Sequence, residues 1–218
     1  MHRYFVTGTD TDVGKTRVTA ALALALKNAG LNPTIVKVVQ TGLPRGVPGD
    51  AARAGKLAGV RYLELARFER AADPWTAAAA YGLMEVYAKE LADAMVAIET
   101  GLVAEGAGGI MVPLNSREHF GHVVRAGKLE VILTVGLRLG CLNHAMLTIS
   151  ICEQMGLPIA GAVLVERFGP TEQSYRDDVE HALQGKLKIF GILPFAVDEE
   201  ASVEAGSRLF DDLVKTRG

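Results

Sequence analysis

The first strand-like run of this chain ends in a loop that constrains most of the fold built behind it. After Arg3-Tyr4-Phe5-Val6-Thr7 comes Gly8-Thr9-Asp10-Thr11-Asp12-Val13-Gly14-Lys15-Thr16, and then the helix-forming Ala20-Ala21-Leu22-Ala23-Leu24. A strand, a glycine-bounded loop, Gly-Lys-Thr and a helix together aim backbone N–H groups at phosphate oxygens. The lysine counters the phosphate charge, and the hydroxyl is placed to hold Mg2+. The strict spacing of the phosphate-loop pattern is missed, because Thr9 stands where its first glycine belongs and Gly8 comes one residue earlier. The strand before the loop and the helix after it still favour nucleotide phosphate binding over a surface turn.

The remainder of the chain alternates in the same manner. Short β-rich runs at 3–7, 34–39, 101–105, 130–135, 159–165 and 188–193 are mostly continuous apolar segments, as expected of strands buried on both faces. Segments 15–28, 84–99, 143–155 and 171–183 repeat apolar residues at spacings of three and four, as in Met84, Tyr87, Leu91, Met95 and Ile98, and read as amphipathic helices. Strand–helix repetition implies right-handed crossovers and a mostly parallel sheet with helices on both faces. Ligands of such sheets bind at the carboxyl ends of the strands. At 218 residues and 49% hydrophobic content the chain suits one α/β domain spanning 1–218, and the Gly/Pro-rich stretch 43–49 reads as a loop within it.

A formal charge of −2 offers no basic field for a nucleic-acid backbone. Cys141 and Cys152 form neither a CxxC pair nor a Cys/His cluster, so no disulfide framework or thiolate metal site is expected. The N-terminus opens on a strand pattern without a secretory leader, and the most apolar stretch, 18–26, is too short to span a bilayer. The expectation is a soluble cytoplasmic protein with no nucleic-acid or membrane partner.

Gly8 to Thr16 resembles the phosphate loop of dethiobiotin synthetases, in which Gly-Thr-Asp-Thr and an acidic residue precede Val-Gly-Lys-Thr. Lys37-Val38-Val39-Gln40-Thr41-Gly42 resembles the family's Lys-Pro-Val…Gly element, and Glu105-Gly106-Ala107-Gly108-Gly109 its Glu-Gly-Ala-Gly-Gly. Gly140-Cys141-Leu142-Asn143-His144-Ala145 is close to its Gly-Cys-Ile-Asn-His-Ala run. The resemblance implies a P-loop NTPase fold and a homodimeric enzyme. It would join 7,8-diaminononanoate, CO2 (or bicarbonate) and ATP into dethiobiotin, with Mg2+ required.

On that resemblance Lys15 holds the β and γ phosphates, with Asp12, Val13, Gly14 and Thr16 completing the nucleotide loop. Lys37, at the end of the second strand, reaches the γ-phosphate and the carbamate formed from CO2. Thr11, Asp12, Thr41 and Gly108 line the diamine site. Thr16, Asp50 and Glu105 supply hard oxygen ligands for Mg2+. From the residues alone Asp50 reads equally as a helix N-cap before Ala51-Ala52-Arg53, and the two roles are compatible. Asn143, at a helix start, and Tyr175 are implied to take the substrate tail carboxylate from across the dimer; helix capping and ordinary packing are their simpler readings. Cys141 reads as structural.

Two departures stand out. Val38 replaces the proline that usually follows the second-strand lysine, and Val165 stands where the family carries an asparagine that reads adenine. Base reading is then left to backbone groups around Pro194 and Ala196, and weak base selectivity is expected. Partitioning ATPases of related pattern carry a lysine where this chain has Asp10, which argues against that class. An amidoligase would need an added glutaminase domain for which the chain has no room. Loss of activity is opposed by the joint presence of Lys15, Thr16, Lys37, Asp50 and Glu105. Trp75 has two readings, a border of the site or a loop-packing residue.

Overall fold

A computed structural model describes residues 2–82, 85–167 and 169–215. Seven strands form one sheet: β1 (Arg3–Gly8), β2 (Thr34–Thr41), β3 (Arg61–Phe68), β4 (Leu102–Glu105), β5 (Glu130–Gly136), β6 (Ile159–Val165) and β7 (Ile189–Leu193), in the order β3-β2-β4-β1-β5-β6-β7. Every strand pairing is parallel. The expected fold is therefore found, with the sheet wholly rather than mostly parallel. Among the described residues no helix is long and apolar enough to cross a membrane.

The apolar runs read as two-sided strands because they are. In β1, Tyr4 and Val6 face one core and Phe5 the other, and all three are fully buried. One face is covered by α1 (Lys15–Asn28) and α2 (Asp50–Ala58), with α8 (Glu199–Ser207) and α9 (Asp211–Lys215) beside them. The opposite face carries α3 (Pro74–Ala79), α4 (Ala88–Val96), α5 (Phe120–Ala126), α6 (Cys141–Met155) and α7 (Gln173–Leu183). Helix α1 packs against the sheet, α2 and α8, which explains why it is apolar nearly all round.

Several elements differ from the sequence expectation, each for a local reason. Strand β3 escapes notice because it is an edge strand with charged residues, RYLELARF, and no continuous apolar run. Helices α2, α3, α5 and α8 are too short to build a periodic signal. The expected helix 84–99 shortens to Ala88–Val96: Glu118 accepts from the Ala88 N–H and fixes its start, and Met84 lies outside the described residues. Helix α6 begins at Cys141, two residues before expectation, because Gly140 takes the left-handed conformation (φ 89°) that lets the chain turn into it. Strand β2 runs two residues further than expected, to Thr41, through pairing of Gln40 and Thr41 with Arg67 and Phe68.

Candidate active site

One level of the central strands positions the chemistry: β4 ends there, whereas β1 runs on to Gly8 and β2 to Thr41, so Lys37 lies within its strand rather than at the strand end expected of it. Parallel pairing sets Val6 beside Glu105 and Glu105 beside Lys37, so β1, β4 and β2 deliver the loop, the carboxylate and the ammonium to one edge. There a cleft of about 730 Å3 is lined by Thr11, Asp12, Gly14, Lys15, Thr16, Lys37, Thr41, Asp50, Glu105, Gly108 and Ala196, among others.

The loop is held from beneath. Gly14 has φ 100° and stands so close to Val165 that a Cβ would meet its side chain at 2.8 Å, which only glycine tolerates on both counts. Val13 is buried under the loop against Gly136. Its side chain fills core, leaving its backbone to the loop. Lys15 Nζ donates to the carbonyl of Asp10 at 3.0 Å, drawn back across the loop it serves. Burial pushes the Lys15 ammonium below its ordinary pKa and Lys37 adds to this, while Glu105, Asp50 and Asp12 oppose it.

Lys37 is the most tightly held group in the cleft, at 3% exposure. Its ammonium meets Asp50 Oδ2 at 2.5 Å and Glu105 Oε1 at 2.7 Å and donates to the Gly106 carbonyl at 3.1 Å, so each of its three protons has an acceptor. Burial alone would lower this lysine; the two carboxylates outweigh burial and raise it above the usual lysine value. Thr16 Oγ1 donates to Glu105 Oε1 at 3.1 Å, while Glu105 Oε2 is buried with no hydrogen-bond partner among the described residues. An orphaned carboxylate oxygen beside a threonine hydroxyl and a second carboxylate is a donor set that suits a hard cation such as Mg2+.

Asp50 is not the N-cap that one reading allowed. Gly49 occupies that position, and Asp50 is the first helical residue of α2, its side chain turned to Lys37. Its backbone N–H donates to Gln40 Oε1 at 2.9 Å, so the extension of β2 places both partners of the ion pair. Gly108 (φ 62°) accepts from the Gly8 N–H through its carbonyl and lies against Thr11.

Other expected residues lie elsewhere. Val165 is fully buried beneath Gly14, so its side chain does not line the cleft as a nucleotide contact would, and Pro194 is exposed outside it. Asn143 sits in the first turn of α6 but does not cap it, a place taken by Gly140. Tyr175 lies on α7 and donates to the Arg138 carbonyl at 2.8 Å, with Cys141 Sγ at 3.5 Å. Desolvation and the Cys141 contact push its phenol up to about 12, so it is a neutral donor at pH 7. Neither Asn143 nor Tyr175 borders the cleft. Trp75 belongs to the first turn of α3 and faces a shallow depression with Arg70, Thr76, Ala79 and Ala80, apart from the cleft. Asp10 forms an ion pair with Arg138.

Sequence reasoning missed Arg17, Arg53, Arg167 and Glu199, which also line the cleft, with Arg53 and Glu199 paired across its mouth. Arg17 follows Thr16 directly, and its adjacency to the loop is the signal that could have found it. Arg53 and Glu199 belong to the short helices α2 and α8, which the pattern did not reveal.

A family model described as an AAA domain matches residues 2–201. The chain is 42% identical over 178 residues to an ATP-dependent dethiobiotin synthetase BioD from Anaeromyxobacter dehalogenans (strain 2CP-C), covering 79% of each chain. It is 38% identical over 211 residues to the protein of that name from Rhodococcus jostii (strain RHA1), covering 93% of this chain and 90% of the relative. Among solved structures, a ParA family ATPase from Chlorobium tepidum TLS superposes with TM-score 0.57 at 16% identity, over 100% of this chain and 93% of the other. At that identity the likeness concerns the fold alone.

Proposed function

The chain belongs to the dethiobiotin synthetase family of P-loop enzymes, and on that footing we propose how its residues divide the work. It is an ATP-dependent ligase of biotin biosynthesis, forming dethiobiotin from 7,8-diaminononanoate, CO2 and ATP. One amine of the substrate adds to CO2 and loses a proton, giving a carbamate. A carbamate oxygen then attacks the γ-phosphorus of ATP and ADP leaves. The second amine attacks the carbon of the resulting carbamic-phosphoric anhydride, phosphate departs as the attacking nitrogen gives up a proton, and the cyclic urea closes.

Free carbamate is a poor electrophile, so the step that needs an enzyme is phosphoryl transfer, which asks for positioning and charge neutralisation more than covalent help. The observation that carries the reading is the fixed ammonium of Lys37, held by three acceptors at the level of Val6, just before β1 enters the phosphate loop. With its three protons already accepted, the ammonium acts on the transferring group as a fixed positive charge rather than as a donor, and it has no reorganisation to undergo as charge moves from the carbamate to the β–γ bridge. Lys15 neutralises the β and γ phosphates, with the backbone of Asp12 to Gly14 around them. Thr11, Asp12, Thr41 and Gly108 take the diamine end of the substrate, and Asp12 attracts a cationic amine.

Thr16, Asp50 and Glu105 hold Mg2+, whose charge, when bound, neutralises phosphate oxygens. The orphaned Glu105 oxygen supports this assignment. Asn143 and Tyr175 take the carboxylate tail of a substrate bound in a second copy of the chain, giving a homodimer with shared sites. The outer face of α6 supports that arrangement: Leu139, Met146 and Leu147 are exposed around Asn143, an apolar surface that a twofold partner would cover. Residues 1–218 serve as one catalytic unit, and an ATP-consuming biosynthetic enzyme with two buried free cysteines fits the cytoplasm.

ATP consumption by the purified protein should require 7,8-diaminononanoate and bicarbonate together, with one ADP per dethiobiotin formed. ATP turnover at the same rate with either one omitted would contradict the assignment.

A further inference from the structure

Carbamate phosphorylation uses the phosphate side of the cleft and leaves a buried carboxylate on the other side without a role. Glu166 directly follows β6 and is 3% exposed. Its Oε2 accepts from the Phe195 backbone N–H at 3.0 Å. Its Oε1 accepts from the Thr171 backbone N–H at 3.0 Å and from Arg176 Nη1 at 3.1 Å. One side chain thus ties the end of β6 to the segment after β7 and to helix α7.

Phe195 and Ala196, in the segment after β7, line the cleft, as does Arg167 next to Glu166. That segment lies between β7 and α8, with no ladder of its own to hold it. A buried carboxylate is costly unless it is paired and hydrogen-bonded, and an apolar residue would join β6 to α7 at less expense. What a carboxylate adds here is acceptance of backbone N–H groups from two irregular segments, with Arg176 as counter-charge.

We infer that Glu166 is a positioning residue for the nucleoside end of ATP: it sets where Phe195 and Ala196 stand against the cleft, and Arg176 holds it in place. The inference rests on the reading of this cleft as the ATP site. Gly14, Lys15 and Thr16 hold the phosphates and are not in contact with Glu166. Apolar contact with a base face does not depend on which base it is, so Glu166 strengthens nucleoside binding without choosing the base.

The test separates the two ends of the ligand. Wild type and Glu166→Gln are titrated with ATP and with inorganic tripolyphosphate, both with excess Mg2+. ATP affinity should fall by about tenfold or more, the scale of lost hydrogen bonds to a charged acceptor, while tripolyphosphate affinity stays within about twofold. KM for ATP should rise in parallel with kcat nearly unchanged, because the lost contact is equal in ground and transition states. Arg176→Ala, a change in a less buried residue, should show the same pattern at smaller size, and Arg176→Lys should restore most of it. Equal loss of both ligands in both variants, or a lower melting temperature with both affinities intact, would overturn the inference. If wild type bound neither ligand, the ATP-site reading would fall, and this inference with it.

Discussion

The two ends of the proposed substrate site differ in how far one chain completes them. At the phosphate end Lys37, Asp50, Glu105 and Thr16 are partnered with one another, and Lys37 and Glu105 are nearly sealed from solvent. At the corner of α6 and α7, Asn143 is exposed, Tyr175 satisfies a carbonyl of its own chain, and Leu139 and Leu147 stand 91% and 62% exposed. Neutralising a moving phosphoryl group needs groups fixed in advance, which strand register supplies within the chain. Holding a flexible tail needs only a surface, and a second copy can provide part of it.

The sharpest attack on this contrast is Lys37→Met. Loss of a preorganised charge at the reacting group costs about 2.7–4 kcal/mol, so kcat should fall by about two to three orders of magnitude. Lys15→Ala should fall by a similar factor. Turnover near wild type in Lys37→Met would remove Lys37 from the chemistry. At the tail corner, Asn143→Ala should act on binding instead: KM for 7,8-diaminononanoate rises by about tenfold, the worth of a hydrogen bond to a carboxylate, with kcat changed little. A kcat loss as large as that of Lys37→Met would erase the distinction between the two ends.

A smaller effect concerns pH and belongs to the phosphate end alone. Lys37 has a raised pKa in the folded chain, so its proton is held more tightly folded than unfolded. Its stabilising contribution is fully present below the ordinary lysine value and fades as pH rises through the raised one. In alkaline thermal unfolding, wild type should lose stability more steeply than Lys37→Met; parallel curves would contradict the ion-pair account. The smallest effect lies at the nucleoside end. Val165 presents no polar atom to the cleft, and the Phe195 N–H is already given to Glu166. ATP should therefore exceed CTP or GTP in kcat/KM by less than about tenfold, the worth of one remaining hydrogen bond. A preference above a hundredfold would point to backbone readout by other groups of that segment.

Legibility in the sequence divides along the same line. Strands β1, β2 and β4 to β6 and helix α1 are readable because burial on both faces or all round leaves nearly unbroken apolar runs, the edge strand β7 is readable because its apolar run survives although only Leu193 is buried, and Gly14-Lys15-Thr16 announces itself through backbone requirements that only glycine and those functional groups meet. The role of Asp50 is not readable, since an acid before Ala51-Ala52-Arg53 fits a helix cap as well as a metal ligand; the structure gives the cap position to Gly49, and Gln40 at the extended end of β2 holds Asp50 beside Lys37. Arg53 and Glu199 stay hidden because α2 and α8 are short and the residues meet only across 146 positions of chain. Val165, expected as a nucleotide contact, lies beneath the loop instead, because sequence position does not say which way a side chain at a strand end points.

The most direct test of a phosphate end complete in one chain and a tail end shared between two is subunit mixing. Lys15→Ala protein is combined with Asn143→Ala/Tyr175→Phe protein under conditions where subunits exchange, at a substrate level where each parent is inactive. Random pairing makes half the twofold dimers hybrids with one intact site each, so activity should return to roughly a quarter of wild type. Demonstrated exchange with no recovered activity would contradict the account.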